Sequence, residues 1–223
     1  MLRYTPLVVL AMLASAPLHA AEEDTQFWGA VIVNADVSKD VVITMEGVAR
    51  LTDGASRLGQ SILRPSIGYR LGKNTIASLG YGYIPTDPVG PASSDEHRIW
   101  QQLAFTVAGN GSDLTVTGRT RLEQRWIEGR DDMGWRLRQQ LRATAPLSGK
   151  TRAVGWTEAF ISMDDTSWGQ RSGLDQWRNF VGVSVPMSKA VSIEPGYLNQ
   201  WVVRRGSADR VNHVASVSLF ARF

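Results

Sequence analysis

Charged residues fall on alternate positions in two neighbouring segments of this chain. The charged positions are Arg119, Arg121, Glu123 and Arg125 in the first segment, and Arg136, Arg138 and Arg142 in the second. The intervening positions are mostly apolar, among them Leu122, Trp126, Leu137 and Leu141. Because successive side chains of a strand point to opposite faces, each segment is predicted to be a strand with one charged and one apolar face. Such strands fit a soluble sheet with its charges in water, or a barrel with its charges inside and lipid outside.

The N-terminal residues differ in character from the rest. Arg3 is followed by an apolar run over 7–14, then by small residues, and then by the acidic Glu22-Glu23-Asp24. This order is typical of a secretory signal peptide. We therefore expect residues 1–21 to be a signal removed on export and residues 22–223 to form a single β-barrel domain. A membrane-anchoring helix is the alternative, but the run is shorter than the roughly 18 residues that such a helix needs.

Composition narrows the class of protein further. The chain has no cysteine, although small exported domains often carry disulfides. This absence favours another source of stability, such as a closed, hydrogen-bonded barrel. The net charge of +3 is too small to argue for a nucleic-acid partner, and we expect none.

Alternating patterns continue along the chain, and no stretch after the signal repeats with a helical period. Candidate strands occupy approximately residues 26–36, 41–51, 60–71, 75–84, 96–108, 113–127, 134–145, 151–162, 174–185, 190–203 and 211–223. Short connections at 37–40, 72–74, 109–112, 146–150 and 186–189 alternate with longer ones near 52–59, 85–95, 128–133, 163–173 and 204–210. All the lysines lie in the short connections, at Lys39, Lys73, Lys150 and Lys189. Short turns on one side and longer loops on the other are typical of outer-membrane barrels.

These patterns predict an all-β fold, an antiparallel transmembrane β-barrel of the outer-membrane type with 10–12 strands. The eleven candidate strands conflict with the even number that bacterial single-chain barrels normally have. We therefore favour twelve strands, then ten. A barrel of eleven strands closed by a parallel pair is the rare alternative.

Aromatic residues mark the ends of the predicted strands. An aromatic girdle beside the long loops is predicted from Tyr83, Trp126, Trp135, Trp177 and Trp201, which share the apolar face. The last strand ends at Phe223, which looks like a signal for the barrel-assembly machinery, although Ala221 stands where a bulkier residue is usual. The expected partners are that machinery, through the C-terminal strand, and outer-membrane lipid. The expected location is the outer membrane of a Gram-negative-type bacterium, and the oligomeric state stays open.

Several spaced motifs resemble a known family. They are Glu96-His97-Arg98-Ile99-Trp100-Gln101-Gln102, Arg119-Thr120-Arg121-Leu122-Glu123-Gln124-Arg125, Arg136-Leu137-Arg138, Asp175-Gln176-Trp177-Arg178-Asn179 with Gly182, and Gly196-Tyr197 before Asn212-His213. Together they cover most of the predicted barrel, and they resemble the family called domain of unknown function 2490. The resemblance implies an exported outer-membrane barrel. It implies no activity and supplies no catalytic residues, because the function of that family is not established.

The charged face is predicted to line the barrel lumen. The residues expected in this lumen charge network are Arg119, Arg121, Glu123, Arg125, Arg136, Arg138, Arg142, Glu158, Arg178 and Glu194. One interpretation is structural, with Glu and Arg pairing across strands to fill a narrow barrel. The other is functional, with the surplus arginines forming a narrow, porin-like passage for small anionic solutes.

Two further interpretations stay open. Known outer-membrane hydrolases use Ser and His near the rim, and here His97 lies close to Ser93, Ser94 and Asp95. A soluble exported β-sandwich or a lipocalin-like binding protein is the other alternative. The sequence contains no nucleophile motif and no metal-ligand spacing, so we predict no catalytic residue, no metal and no cofactor.

Overall fold

The computed structural model describes residues 21–223, so positions 1–20 of the predicted signal lie outside the described residues. The strands are β1 (Glu22–Asp36), β2 (Val41–Thr52), β3 (Arg57–Gly72), β4 (Thr75–Thr86), β5 (Ser94–Ala108), β6 (Thr115–Ile127), β7 (Met133–Ser148), β8 (Thr151–Ser162), β9 (Gly173–Pro186), β10 (Val191–Val202) and β11 (Arg210–Arg222). Among these described residues, no helix is long and apolar enough to cross a membrane.

The strands form one closed barrel in which each strand pairs with its neighbours in sequence. Ten of the contacts are antiparallel, and the closing contact between β1 and β11 is parallel, running from Glu22–Arg210 to Asn34–Arg222. The predicted all-β barrel is therefore confirmed. The expectations of twelve strands and of a wholly antiparallel sheet are wrong. An odd number of up-and-down strands leaves the first and last pointing the same way, so they can pair only in parallel.

The strict alternation of short and long connections is also wrong. The β1–β2 and β2–β3 connections, 37–40 and 53–56, are equally long, and the β5–β6 connection 109–114 is longer than 128–132. The predicted long loop at 52–59 is a tight turn, because Asp53, Gly54 and Ala55 all have positive φ angles. The ends of the barrel still differ. We call the end with connections 87–93, 163–172 and 203–209 the loop end, and the opposite end the turn end.

Burial in this barrel is the reverse of that in a soluble protein. Large apolar side chains project from the outer surface and are exposed, among them Ile43, Met45, Leu63, Ile67, Leu79, Ile99, Leu103, Leu141, Ile161 and Val181. Charged side chains are buried inside, among them Glu96, Arg98, Arg121, Glu123, Arg136, Arg138, Glu158, Arg178 and Glu194. Charged groups are almost never fully buried unless they are paired. The interior must therefore hold an organised set of ion pairs.

The interior is not uniformly charged. A cluster of buried apolar residues, Trp28, Val154, Phe180, Leu198 and Val214, covers the inner wall of β1 and β8–β11. The Trp156 ring stacks on Phe180 with a centroid distance of 5.3 Å. The buried charged residues are most frequent on β5–β8, although β9 and β10 also carry Arg178 and Glu194.

Gly80 on β4 makes room for a large side chain in this interior. A Cβ placed on Gly80 would overlap the buried indole of Trp100, its cross-strand neighbour on β5. We expect Gly80→Ala to lower the free energy of unfolding by about 1–3 kcal/mol, as overpacking of a core does.

The matched control for Gly80→Ala is Gly47→Ala on β2. A Cβ at Gly47 meets no atom within 4 Å. This substitution is expected to be neutral or to stabilise the barrel by about 0.5–1 kcal/mol, because alanine restricts the unfolded chain. Urea unfolding in detergent micelles, followed by tryptophan fluorescence, compares the two variants. Equal effects would mean that contact with Trp100 does not limit the residue at position 80.

Candidate functional site

Two cavities follow one another inside the barrel. The turn-end chamber has a volume of about 420 Å³, and its lining includes Asn34, Arg142 and Glu194. The loop-end chamber has a volume of about 300 Å³, and its lining includes Gln60 and Arg125. Four arginines line both chambers and so lie where the two meet: Arg50, Arg64, Arg138 and Arg178. We call these four residues the arginine layer.

Positive charge dominates both chambers. Seven arginines and three glutamates line the turn-end chamber. Nine arginines and a single glutamate, Glu96, line the loop-end chamber. This imbalance makes the two chambers regions of positive potential, enclosed by walls of low dielectric constant that strengthen the field.

The best-compensated arginines form a chain of ion pairs along β6, β7 and β8. Glu123 contacts Arg136 at 2.6 Å and Arg138 at 2.8 Å. Arg138 continues the chain to Glu158 at 2.8 Å, and Glu158 also contacts Arg119 at 2.7 Å. Register explains the arrangement, because these inward positions lie on adjacent strands, with Glu123 directly opposite Arg136. Each carboxylate therefore forms hydrogen-bonded ion pairs with two guanidinium groups.

Other ion pairs reach further around the barrel. Arg142 on β7 pairs with Glu194 on β10, three strands away. At the loop end, Glu96 contacts both Arg98 at 2.7 Å and Arg125 at 2.5 Å. The Arg142–Glu194 pair narrows the turn-end chamber by placing two side chains across it.

Two members of the arginine layer form no ion pair among the described residues. Arg50 Nη1 donates to Gln60 Oε1 at 2.6 Å, and Arg178 Nη2 donates to Gln176 Oε1 at 2.9 Å. The Nε of each guanidinium is buried without an acceptor. Both lie against the Trp28 indole, with guanidinium carbons 3.8 Å and 5.1 Å from its ring centroid. These cations are positioned by an aromatic ring and by amides, not by carboxylates.

The structure places all the residues of the predicted lumen charge network inside the barrel, where they form one chain of ion pairs and several separate contacts. It brings Arg119, Glu123, Arg136, Arg138 and Glu158 into one chain of ion pairs. The remaining members form their hydrogen bonds outside this chain of ion pairs, and they are Arg121, Arg125, Arg142, Arg178 and Glu194.

Sequence reasoning left several residues out of the predicted site. The alternation of side chains along each strand places Arg50, Arg64 and Glu96 on the lumen face. The sequence was therefore sufficient to predict these three as site residues. Trp28 lies on β1, and its contact with two arginines has no local sequence signal. Gln170 lies in a loop, where strand parity does not apply.

Gln170 connects the longest loop to the lumen. Its side-chain oxygen accepts a bond from Arg125 Nη1 at 2.8 Å, and the side chain of Trp168 lies over the same guanidinium. Gly134 leaves the space that Gln170 occupies. Loop 163–172 therefore folds inward and covers part of the loop end.

Carboxylates hold this loop in place. Asp132 accepts a bond from the Ser167 amide at 2.6 Å, and Asp165 accepts one from the Ser172 amide at 2.6 Å. These hydrogen bonds lower the pKa of both carboxyls below the ordinary aspartate value. The described residues contain no cluster of three or more His, Cys, Asp or Glu side chains that could hold a metal ion.

The predicted girdle residues lie outside the barrel near the loop end. Trp177 on β9 is directly opposite Trp201 on β10. Tyr83, His97 and Trp126 occupy paired positions on β4, β5 and β6, and the His97 ring stacks on Trp126. At the other end, the Phe223 amide donates to Asn34 O at 2.9 Å, which secures the end of the chain against β1.

The residues considered for a rim hydrolase do not form a nucleophile–base pair. The Ser93 hydroxyl donates to Asp87 at 2.8 Å. The His97 ring instead bonds the Tyr81 hydroxyl at 2.5 Å on the outer surface. Histidine and serine therefore have separate partners.

Comparison with known proteins adds a family but no activity. A family model described as "Protein of unknown function (DUF2490)" matches residues 25–212. A protein of Methylorubrum extorquens described as "Uncharacterized protein" is 35% identical over 230 residues, which cover 100% of both chains. The family model therefore includes most of β1, all of β2–β10 and only the first three residues of β11.

Proposed function

The chain belongs to the family described as protein of unknown function DUF2490, and we propose that it is an outer-membrane β-barrel whose arginine-rich lumen is a narrow passage for small anionic solutes. The observation that carries the proposal is the inverted burial of the barrel. Large apolar side chains are exposed on its outside, and ionised side chains line much of its inside. This distribution suits a wall with lipid on one side and an aqueous lumen on the other.

The outer surface supports the membrane part of the proposal. Large exposed apolar side chains occur on the outer face of most strands, with Gln101, Asn179 and Asn199 between them, and so many are rare on soluble monomers. The tryptophans of the predicted girdle lie near the loop end, where an indole can place its ring in lipid and its N–H in water. Trp201 illustrates this arrangement, because its Nε1 donates to Asp209 of the adjoining loop at 2.9 Å. In this orientation the loop end faces the outside of the cell, and Phe223 lies on the periplasmic side.

The lumen supports the choice of solute. Rings of arginine favour anions in pores, because each guanidinium replaces part of the hydration shell that the anion loses. The loop-end chamber offers nine such groups against one carboxylate. A cation would meet uncompensated positive charge at the arginine layer, whereas an anion would be attracted there.

Planar-bilayer recordings test this function. Under a KCl gradient, we expect the purified protein to be more permeable to chloride than to potassium. The sign of the reversal potential measures this selectivity. Cation selectivity would contradict the proposed passage. Complete absence of conductance from correctly folded protein would contradict it as well, and would favour a purely structural role for the ion pairs.

A pair of charge reversals makes the test specific to the lumen. Arg210 lines the loop-end chamber, so Arg210→Glu is expected to shift the reversal potential measurably towards cations. Arg130 is exposed in the connection 128–132 and lines neither chamber, so Arg130→Glu is the matched control. Equal shifts in both variants would assign selectivity to the surface charge of the whole protein.

A further inference from the structure

The arginine layer contains two cations whose compensation is incomplete. Arg64 contacts Glu46, and Arg138 contacts both Glu123 and Glu158. In contrast, Arg50 and Arg178 each bond one neutral glutamine amide. The layer thus separates into two arginines with carboxylate partners and two that form no ion pair among the described residues.

Nearby carboxylates do not neutralise this pair. Glu158 is opposite Arg178 in the β8–β9 register, but its carboxylate bonds Arg138 and Arg119. Glu46 is likewise engaged by Arg64. A buried charge without a counter-ion costs several kcal/mol in a protein interior, as a general estimate. A negatively charged ligand would remove that cost.

The unsatisfied donors of the pair are suited to an oxyanion. Arg50 and Arg178 each retain a buried Nε–H without an acceptor, beside a guanidinium fork whose geometry matches oxyanions. Trp28 and Phe160 hold the Arg178 guanidinium, whose carbon lies 5.1 Å and 4.4 Å from their ring centroids. The donors are therefore pre-positioned, and binding need not immobilise two free side chains.

The space around Arg50 and Arg178 and their combined positive charge limit which ligands can bind. Both chambers open onto the pair, and each is far larger than the roughly 30 Å³ that a water molecule occupies in the liquid. Two uncompensated positive charges are balanced by one dianion. A tetrahedral dianion also offers enough oxygens for both forks, whereas chloride offers a single acceptor centre.

We infer that Arg50 and Arg178 form a binding site for a phosphate-type dianion where the two chambers of the barrel meet. The inference rests on the proposed function and deepens it, because it assigns the anion a fixed site on its path. The site gives the passage a preference for phosphate over chloride.

Calorimetric titration of inorganic phosphate into the detergent-solubilised full chain tests the site. The wild-type protein is expected to bind phosphate saturably, with chloride competing only weakly. Arg178→Gln and Arg50→Gln are each expected to weaken binding by at least about tenfold, the effect of losing one charged hydrogen-bonding partner. Arg178→Lys, which keeps the charge without the fork, is expected to bind phosphate with intermediate affinity.

The matched control is Arg152→Gln. Arg152 on β8 lines neither chamber and bonds backbone oxygens of Asp113 and Thr144. Phosphate affinity should be unchanged in this variant. An equal loss in Arg152→Gln would overturn the inference, because a diffuse positive field would then explain binding. Heat-modified migration in gels verifies that each variant has folded.

The phosphate site and the anion passage can be refuted independently, because binding and conductance are measured separately. Saturable phosphate binding without conductance would retain the site and refute the passage. Anion-selective conductance without phosphate binding would refute the site and retain the passage. Chloride binding as tight as phosphate binding would also overturn the inferred preference.

Discussion

Replacement of Glu123 by glutamine is expected to lower the free energy of unfolding by about 3–5 kcal/mol, the usual cost of breaking a buried ion pair. Glu123 has no exposed surface, and its two oxygens contact Arg136 and Arg138. Arg121 Nη1 also lies 3.8 Å from Glu123 Oε1. Glutamine has a similar shape, but it removes the negative charge and turns an amide donor towards these guanidinium groups. The loss is large because several cations share one carboxylate.

Urea-dependent unfolding in detergent micelles measures this effect, with Glu128→Gln as the matched control. The Glu128 side chain is 71% exposed and lies 4.0 Å from the His97 ring, in the connection that follows β6. Its replacement is expected to change the free energy of unfolding by less than about 0.5 kcal/mol. Similar values for the two variants would show that the ion pairs inside the barrel contribute little beyond ordinary surface pairs.

Val181→Arg is the second substitution with a large expected effect, and it tests the membrane part of the proposed function. Val181 lies in the middle of β9, with 63% of its surface exposed on the outer face. If that face contacts lipid, an arginine there is expected to cost about 2–4 kcal/mol of folding free energy in a bilayer, as at the midplane of other barrels. If that face contacts water, the same arginine should be almost neutral.

Val89→Arg is the control for this experiment. Val89 is 65% exposed in the β4–β5 connection, so the two valines match in residue type and exposure and differ in position. Folding into lipid vesicles is followed by tryptophan fluorescence at increasing urea concentrations. A large cost for Val181→Arg alone agrees with a lipid-facing strand. Costs that are small and equal would contradict the outer-membrane assignment and favour a soluble barrel.

The ion pairs and the unpaired arginines have different consequences for function. The chain from Arg136 through Glu123, Arg138 and Glu158 to Arg119 holds three strands of the wall together. Arg50 and Arg178 form no ion pair of this kind, and in the absence of an anion the burial of their charge opposes folding. A folded barrel that keeps such a pair therefore points to a role in binding rather than in stability.

Much of the fold was predictable from local sequence patterns. The candidate strands and the faces of Arg119–Arg125 and Arg136–Arg142 depend on a period of two residues, which holds for any strand. The eleven candidate strands correspond to the eleven strands of the barrel. The prediction of twelve failed because it followed the even number of strands in known bacterial barrels instead of the number of candidate strands. The prediction of a long loop at 52–59 failed because Asp53 and Ala55 adopt positive φ angles, which are uncommon outside glycine.

The candidate site was predictable only in part. Strand parity identified arginines such as Arg178 and carboxylates such as Glu158 as lumen residues. It did not indicate which of them pair, because Arg142 finds its partner on a strand far away in the sequence. It also did not indicate that Trp28 and Gln170 contact lumen arginines.

The sequence by itself determined the strands and the faces that their side chains share, because the alternation is set within a few residues of backbone. Tertiary structure decided how β1 and β11 close the barrel and which arginines find a carboxylate. Those outcomes depend on the number of strands and on their register, which set the distances across the lumen. Arg138 and Arg178 show the difference: both have lumen parity, yet only Arg138 contacts Glu123 and Glu158 in the closed barrel.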